Sequence, residues 1–589
     1  MAGQVSLGTQ HIQIDGTPTR ILSGSINYFR IVPEQWRSRL RWARYLGLNT
    51  IETYVPWNLH EPYPGETTFQ GLLDLVSFLD TAQEEGLHVI LRPGPYVCAE
   101  LDFGGLPAWL LAESGLRLRT SDPAYLAWVE AWFEQLIPRV ADLQHDRGGP
   151  IIAMQVENEF GAAAKDRGAG DSQYLTWLVE RLRGHGVTVP LLTCDQDDAT
   201  MVALGGLPGL WPTMNFGSNP DSAWSTLAAH RPGTPKMCME FWNGWFDHWG
   251  EERHTRDPQD AAAVLEQMLA GGASVNLYMF CGGTNFGFTN GANHFEHYQP
   301  TITSYDYDAP LSEHGVPTKK FEAYREVLAR YTTLPAVEPP APAPLLPERT
   351  VLLTRMIPLL DALPALSAPL TAAAPLTMER LGQNFGFTAY AFDVPQAGAY
   401  TLSIPGVRDR AQIIVDGVER GVLERESAET TMQLHVDRPA TTVTVLVENL
   451  GRVNYGPELA DAKGILGDIL LDDVPVGEVT MYPLPLDTVD ALDFTAAAET
   501  VPRTAGPVFC QGEFTVDEPG DTFVALPGFG KGLVWVNGFN LGRYWDRGPQ
   551  RTLYLPGPVL RPGNNTLVIL ELHHLPLPRV QLTTIPDLG

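Results

Sequence analysis

Between about residues 20 and 330 of this 589-residue chain, short apolar β-rich runs alternate with amphipathic stretches of helical period, and eight such units can be counted. No other feature restricts the fold as much, because returning a strand to a parallel neighbour requires a long crossover, which helices supply. The predicted strands are Ile21–Ile26, Asn49–Val55, His88–Arg92, Ile151–Glu157, Val189–Thr193, Thr213–Phe216, Lys236–Glu240 and Val275–Phe280. Between them, Glu34–Leu46, Leu72–Glu85, Tyr125–Asp142, Tyr174–His185 and Ala261–Ala270 carry apolar residues at three- and four-residue spacing and read as crossover helices. Eight units predict a (β/α)8 barrel, whose active site is assembled at the C-terminal strand ends. A doubly wound sheet is the alternative with the same alternation.

The pattern stops near Tyr331, where Leu334-Pro335 and then Glu338–Pro344 resist helix and favour extended backbone. Beyond it come short alternating strands with Gly, Pro and Asp-Gly turns, the texture of β-sandwiches. Two stretches repeat each other, Ile414-Val-Asp-Gly417-Val-Glu-Arg-Gly421 and Trp535-Val-Asn-Gly538-Phe-Asn-Leu-Gly542. Each is a hairpin signal followed by a β-branched run, Thr442–Val447 or Thr566–Leu570, and together they predict two similar sandwich modules. The expected organisation is a barrel over 1–332, a linker with first strands over 333–380, and sandwiches over 381–484 and 485–589.

Forty basic against sixty-nine acidic side chains give a net charge of −29, which repels nucleic acid and anionic membranes and favours a neutral ligand. With no signal-like N-terminal segment and no apolar stretch long enough to span a bilayer, the chain reads as cytoplasmic. The cysteines Cys98, Cys194, Cys238, Cys281 and Cys510 lack the spacing of a disulfide framework or zinc site and read as small buried hydrophobes.

The fourth predicted strand runs into Gln155-Val-Glu157-Asn158-Glu159-Phe-Gly161, and the seventh ends in Met237-Cys-Met-Glu240-Phe-Trp-Asn-Gly-Trp245. Both place acids at the barrel mouth. Cleaving a glycosidic bond needs one carboxylic acid to protonate the leaving oxygen and a second carboxylate at the anomeric carbon. A single Glu at a strand end is more often an ion-pair or capping partner, and Glu157 is expected to play that part. Glu159 and Glu240 stand out because Asn, Trp and Tyr surround them, residues that hydrogen-bond hydroxyls and stack on sugar faces. Glu159 needs a raised pKa to act as the acid, and like-charge repulsion from Glu240 is the expected cause.

The long motifs Glu52–Pro62, Arg92–Glu100, Gln155–Gly161, Glu240–Gly250 and Thr303–Leu311 make nearly the whole chain resemble the β-galactosidases of glycoside hydrolase family 35. The resemblance implies a retaining exo-acting hydrolase with Glu159 as general acid/base, Glu240 as nucleophile and Asn158 at the sugar 2-hydroxyl. It further implies Tyr54, Cys98, Ala99, Glu100, Tyr305 and Tyr307 around the galactose ring, and a galactose-binding-like last module. Trp242 stands where animal lysosomal members have Tyr, and Leu101 where they have Trp. Trp242, Trp245 and Tyr455 then offer flat faces to the sugar beyond galactose, as in bacterial members that prefer β-1,3-linked galactosides such as Gal-β-1,3-GlcNAc.

The Gly282–Gly291 run lacks the Gly-Lys-Ser/Thr ending of a phosphate cradle and reads as a barrel-mouth loop. His294 and His297 lack further ligands at metal spacing, so neither metal nor cofactor is expected. A homodimer through the sandwiches is compatible with the sequence. The competing functions are a catalytically silent carbohydrate-binding protein and a β-glucosidase or β-mannanase with the same paired acids.

Overall fold

The computed structural model of the chain describes residues 3–427, 430–494, 506–573 and 578–589. Eight parallel strands close into a barrel: β1 Leu22–Ser25, β2 Thr50–Tyr54, β3 His88–Arg92, β4 Ile151–Gln155, β5 Leu191–Gln196, β6 Trp211–Phe216, β7 Met237–Trp242 and β8 Ser274–Tyr278. The order around the barrel is sequential, and β8 pairs with β1. All eight strands are buried almost throughout because helices cover one face and the barrel core the other.

Helices Pro33–Leu46, Leu75–Glu84, Pro123–Val140, Ser172–Gly184 and Pro258–Ala270 occupy the predicted crossovers. Aspartates 74, 122, 171 and 257 accept hydrogen bonds from the first-turn amides of the last four, each cap contributing roughly 1 kcal/mol. Helices Phe160–Asp166, Ala199–Gly205 and Pro220–His230 were not evident in the sequence, being short or weakly amphipathic. β5 begins and ends later than the predicted Val189–Thr193.

The N-terminal residues form a three-stranded sheet that the alternation did not foretell. Its Ile12 and Ile14 pack with Ile90, Ile152, Leu192, Met237 and Met239 from the barrel strands. These apolar side chains fill the barrel beneath the site.

The two sandwich repeats adopt the same local structure. Asp416-Gly417 and Asn537-Gly538 take positive φ at both turn positions, as a type I′ hairpin requires. In each, the run some thirty residues later, Thr441–Glu448 or Gly563–Glu571, pairs with the hairpin's first strand. One face of each sheet packs against the other module through Phe387, Ile414, Leu446, Leu533, Trp535 and Leu570. Trp535 is therefore 0 % exposed and offers no sugar platform. The hairpin instead braces the Gly-rich barrel loop, with Phe539 edge-on to Phe286 and Gly287 N donating to Asn540 O at 3.2 Å.

The stretch 333–380 supplies more than a linker. Its strand β9, Arg349–Pro358, is shared by both sheets of the C-terminal module: the first half pairs with Arg579–Thr583 and the second with Val508–Val516. The middle module is thus inserted between β9 and the rest of the sandwich that β9 belongs to.

The middle module is fastened to the barrel by buried charge. Arg452, 0 % exposed, pairs with Asp102 of the barrel at 2.9 Å and with Glu379 at 2.6 Å. Removing one partner of such a group strands the others without water. Arg452→Met is expected to destabilise the fold by roughly 3–5 kcal/mol, visible as a lowered thermal midpoint; an unchanged midpoint refutes this reading of the contact.

Candidate active site

The open, C-terminal end of the barrel holds a cavity of ≈ 570 Å³, within the size range of small-molecule sites. Tyr54, Cys98, Ala99, Glu100, Asn158, Glu159, Glu240, Trp242, Trp245, Tyr307 and Tyr455 all line it. Tyr305 does not: it lies one layer behind, its hydroxyl donating to Glu100 Oε2 at 2.5 Å while Arg30 sits over its ring at 3.7 Å. The expectation that Tyr305 touches sugar is corrected to a residue that positions Glu100.

Glu240 reaches the cavity near the end of β7, where the pairing with both neighbouring strands shifts register. Such irregularities re-aim a side chain. Three donors then hold its carboxylate: Tyr54 Oη at 2.6 Å and Arg92 Nη2 at 2.7 Å on Oε1, and Trp242 Nε1 at 3.1 Å on Oε2. Arg92, fully buried, also donates to Gln155 and to Asn158 Oδ1 and lies 3.6 Å from Glu52, so one guanidinium ties β2, β3, β4 and β7 together beneath the site. Asn158 Oδ1 is thereby engaged by Arg92, and Asn158 Nδ2 donates to Val97 O at 3.2 Å.

Glu159 follows the end of β4. Asn215 Nδ2 donates to its Oε1 at 3.0 Å and Gln196 Nε2 to its Oε2 at 3.4 Å, and Gln196 also reaches the Tyr455 hydroxyl at 2.9 Å. Burial and then the neighbouring Glu240 carboxylate push Glu159 up to about 7. Desolvation is the larger cause, ahead of the like-charge repulsion expected from the sequence. Burial likewise raises Glu100 to about 7, against the lowering effect of its bond from Tyr305. Glu157 behaves as the structural partner it was expected to be, bound by Arg119 at 2.9 and 2.8 Å and by the Tyr174 hydroxyl at 3.1 Å.

Much of this site stands on strained backbone. Cys98, Ala99 and Glu100 have φ of 60°, 54° and 50°, and Glu159 and Tyr307 are at 45° and 60°. Left-handed non-glycine residues cost on the order of 1–3 kcal/mol each and persist only where the surroundings over-determine them. Here Arg30 Nη2 donates to Ala99 O at 2.5 Å, and Gly291 N to Glu100 O at 2.8 Å.

The middle module completes the cavity. Its loop Gly451–Pro457 lies on the barrel rim, with Tyr96 Oη donating to Asn454 O at 2.5 Å, and brings Tyr455 to the mouth beside Phe295, which is 64 % exposed. Trp242 and Trp245 meet edge to face across the opening at 5.6 Å. Gly244 between them is obligatory, since a Cβ there lies 1.8 Å from Tyr307 O.

Four residues escaped the sequence reading. Gln196 lies beyond the predicted end of β5, and Asn215, on β6, carries no motif that marks it. Arg92 lies in a motif whose spacing gives it no role of its own, and Phe295 lies in a His-bearing loop with no periodic pattern to mark it. The usable signal was position: polar residues at the C-terminal ends of barrel strands face the site.

Residues 11–331 match the family Glycosyl hydrolases family 35. Residues 375–485 match the first all-beta domain of beta-galactosidase, and residues 507–565 its galactose-binding domain. The beta-galactosidase of Bos taurus is 43 % identical, over 95 % of this chain and 89 % of that protein. The Homo sapiens beta-galactosidase is also 43 % identical, over 95 % of this chain and 86 % of that protein. Homo sapiens beta-galactosidase-1-like protein 2 is 41 % identical, over 97 % of this chain and 89 % of that protein.

Proposed function

This chain belongs to glycosyl hydrolases family 35 and is a β-galactosidase, and from that premise we propose that it is a retaining exo-enzyme of the bacterial type that prefers β-1,3-linked galactosides. The observation that carries the mechanism is the pairing of Glu159 and Glu240 in one cavity, the first raised to about 7 by burial and by the second.

Glu159 gives its proton to the glycosidic oxygen as Glu240 attacks the anomeric carbon, forming a galactosyl ester and releasing the aglycone. Esterification removes the Glu240 charge that helped raise Glu159, so Glu159 ionises more readily and can take a proton from water. That water opens the ester from the face the aglycone left, and the anomeric configuration is restored. Arg92, Tyr54 and Trp242 orient the attacking carboxylate, which preserves the near-attack geometry through both steps.

The linkage preference rests on Trp242, Trp245 and Tyr455, which share the cavity with the acids and meet the sugar beyond galactose. Proton NMR during hydrolysis is expected to show β-galactose first, and a panel of β-1,3, β-1,4 and β-1,6 disaccharides to show fastest turnover of Gal-β-1,3-GlcNAc. Initial α-galactose rejects the retaining mechanism. Faster cleavage of lactose rejects the linkage preference alone.

A further inference from the structure

Trp242 and Trp245 are also the wall of a second hollow, ≈ 490 Å³, on the outer side of the barrel rim. The catalytic cavity and this hollow have only these two residues in common among their lining side chains. The remaining wall comes from the ends of β5 and β6 and from Gly244 and Arg256 after β7, with Asp197, Ser218, Asn219 and Arg256 contributing polar side chains.

Of these, the groups of Asp197, Ser218 and Asn219 are unspent. Asp198 caps the helix Ala199–Gly205 and pairs with Lys165 at 2.8 Å, whereas its exposed neighbour Asp197 has no hydrogen-bond or ion-pair partner among the described residues. Asn219 precedes the helix Pro220–His230 at φ 51°, yet its side chain makes no capping bond. A free carboxylate, a free amide and a hydroxyl next to indole rings form a lining suited to a neutral polyhydroxylated ring: planar acceptors and donors for its hydroxyls, aromatic surface for its C–H faces.

The hollow is also rigid. Arg256 Nη1 donates to Gly217 O at 2.7 Å and to Trp242 O at 2.9 Å, while its Nε is held by Asp260 at 2.9 Å and its backbone N by Asp308 at 2.8 Å. The segment bearing Ser218 and Asn219 is thereby fixed to the segment bearing the tryptophans. A preformed groove of this kind binds with little ordering cost on the protein side.

We propose that this hollow is a further aglycone-side subsite, taking a sugar of a neutral oligosaccharide that crosses the Trp242–Trp245 wall after leaving the catalytic cavity. The proposal rests on the galactosidase reading above and extends it: the preferred substrates are longer than disaccharides.

The test compares a galactosyl-terminated disaccharide with tri- and tetrasaccharides of the same terminal linkage, with nitrophenyl β-galactoside as a reporter of the hydrolytic centre. The longer substrates are expected to gain about tenfold in kcat/KM, chiefly through KM, as two net hydrogen bonds provide. Asp197→Ala/Asn219→Ala is expected to return them to the disaccharide value, with the thermal midpoint confirming an intact fold. Equal kcat/KM at every length, or a length gain that survives the double substitution, overturns the subsite. Absent nitrophenyl galactoside cleavage by the unsubstituted enzyme instead overturns the activity reading.

Discussion

Glu240→Gln is expected to lower turnover of nitrophenyl β-galactoside by roughly four to six orders of magnitude, because the covalent step loses its attacking oxygen. Sugar binding should persist, since glutamine keeps the volume and one acceptor. The hydrogen bonds set a limit on that persistence. With the amide oxygen turned to Tyr54 and Arg92, as Oε1 is now, the NH2 group faces Trp242 Nε1–H, donor against donor. Such a mismatch costs on the order of 1–3 kcal/mol, so galactose affinity measured by calorimetry should fall modestly while catalysis all but disappears. Turnover within tenfold of the unsubstituted enzyme would remove Glu240 from the nucleophile's role.

Glu159→Gln should cost on the order of 10²–10⁴ in kcat on a disaccharide, the usual contribution of positioned acid catalysis. The loss of the first step should be smaller on nitrophenyl galactoside, whose leaving group needs little protonation. The pH dependence follows from the direction of the shift. The protonated carboxyl is the active form for the first step, and burial with the Glu240 charge raises it to about 7. Activity on disaccharides is therefore full on the acid side of 7 and lost as pH rises through it. In the glutamine variant that alkaline limb should vanish. A limb that persists unchanged assigns the titration to Glu100, which burial also brings to about 7 in the same cavity.

The pairing of Glu159 with Glu240 was legible because both acids sit in or just after barrel strands whose apolar runs announce themselves, so the two mouth positions followed from counting units. The residues that tune them were harder to read. Gln196 belongs to a strand whose last half, Cys194-Asp-Gln196, is polar and looked like loop, although a barrel strand end facing a site is polar for functional reasons. Tyr305 was misplaced because a tyrosine in a site motif gives no sign of whether it touches ligand or supports the residue that does. The cause of the Glu159 shift was misjudged for a related reason: the neighbouring charge is visible in a sequence, whereas depth of burial is not. The sandwich hairpins were read correctly from Asp-Gly and Asn-Gly, turn chemistry being local. The membership of β9 was not, since nothing within ten residues of a strand says which distant partner it will find.

That membership has a consequence for biosynthesis. Arg349 pairs with Leu582, more than two hundred residues later, so β9 leaves the ribosome long before its partners do. At roughly 5–20 residues per second, it waits on the order of ten seconds or more while the intervening module emerges. The barrel and the inserted module have all their strands by then, but the outermost sandwich cannot close until Arg579–Thr583 has emerged. A nascent chain stalled short of residue 579 would carry the first half of β9, Arg349 to Leu352, as an unpaired edge, with Val351 and Leu352 free to recruit a holdase or another copy.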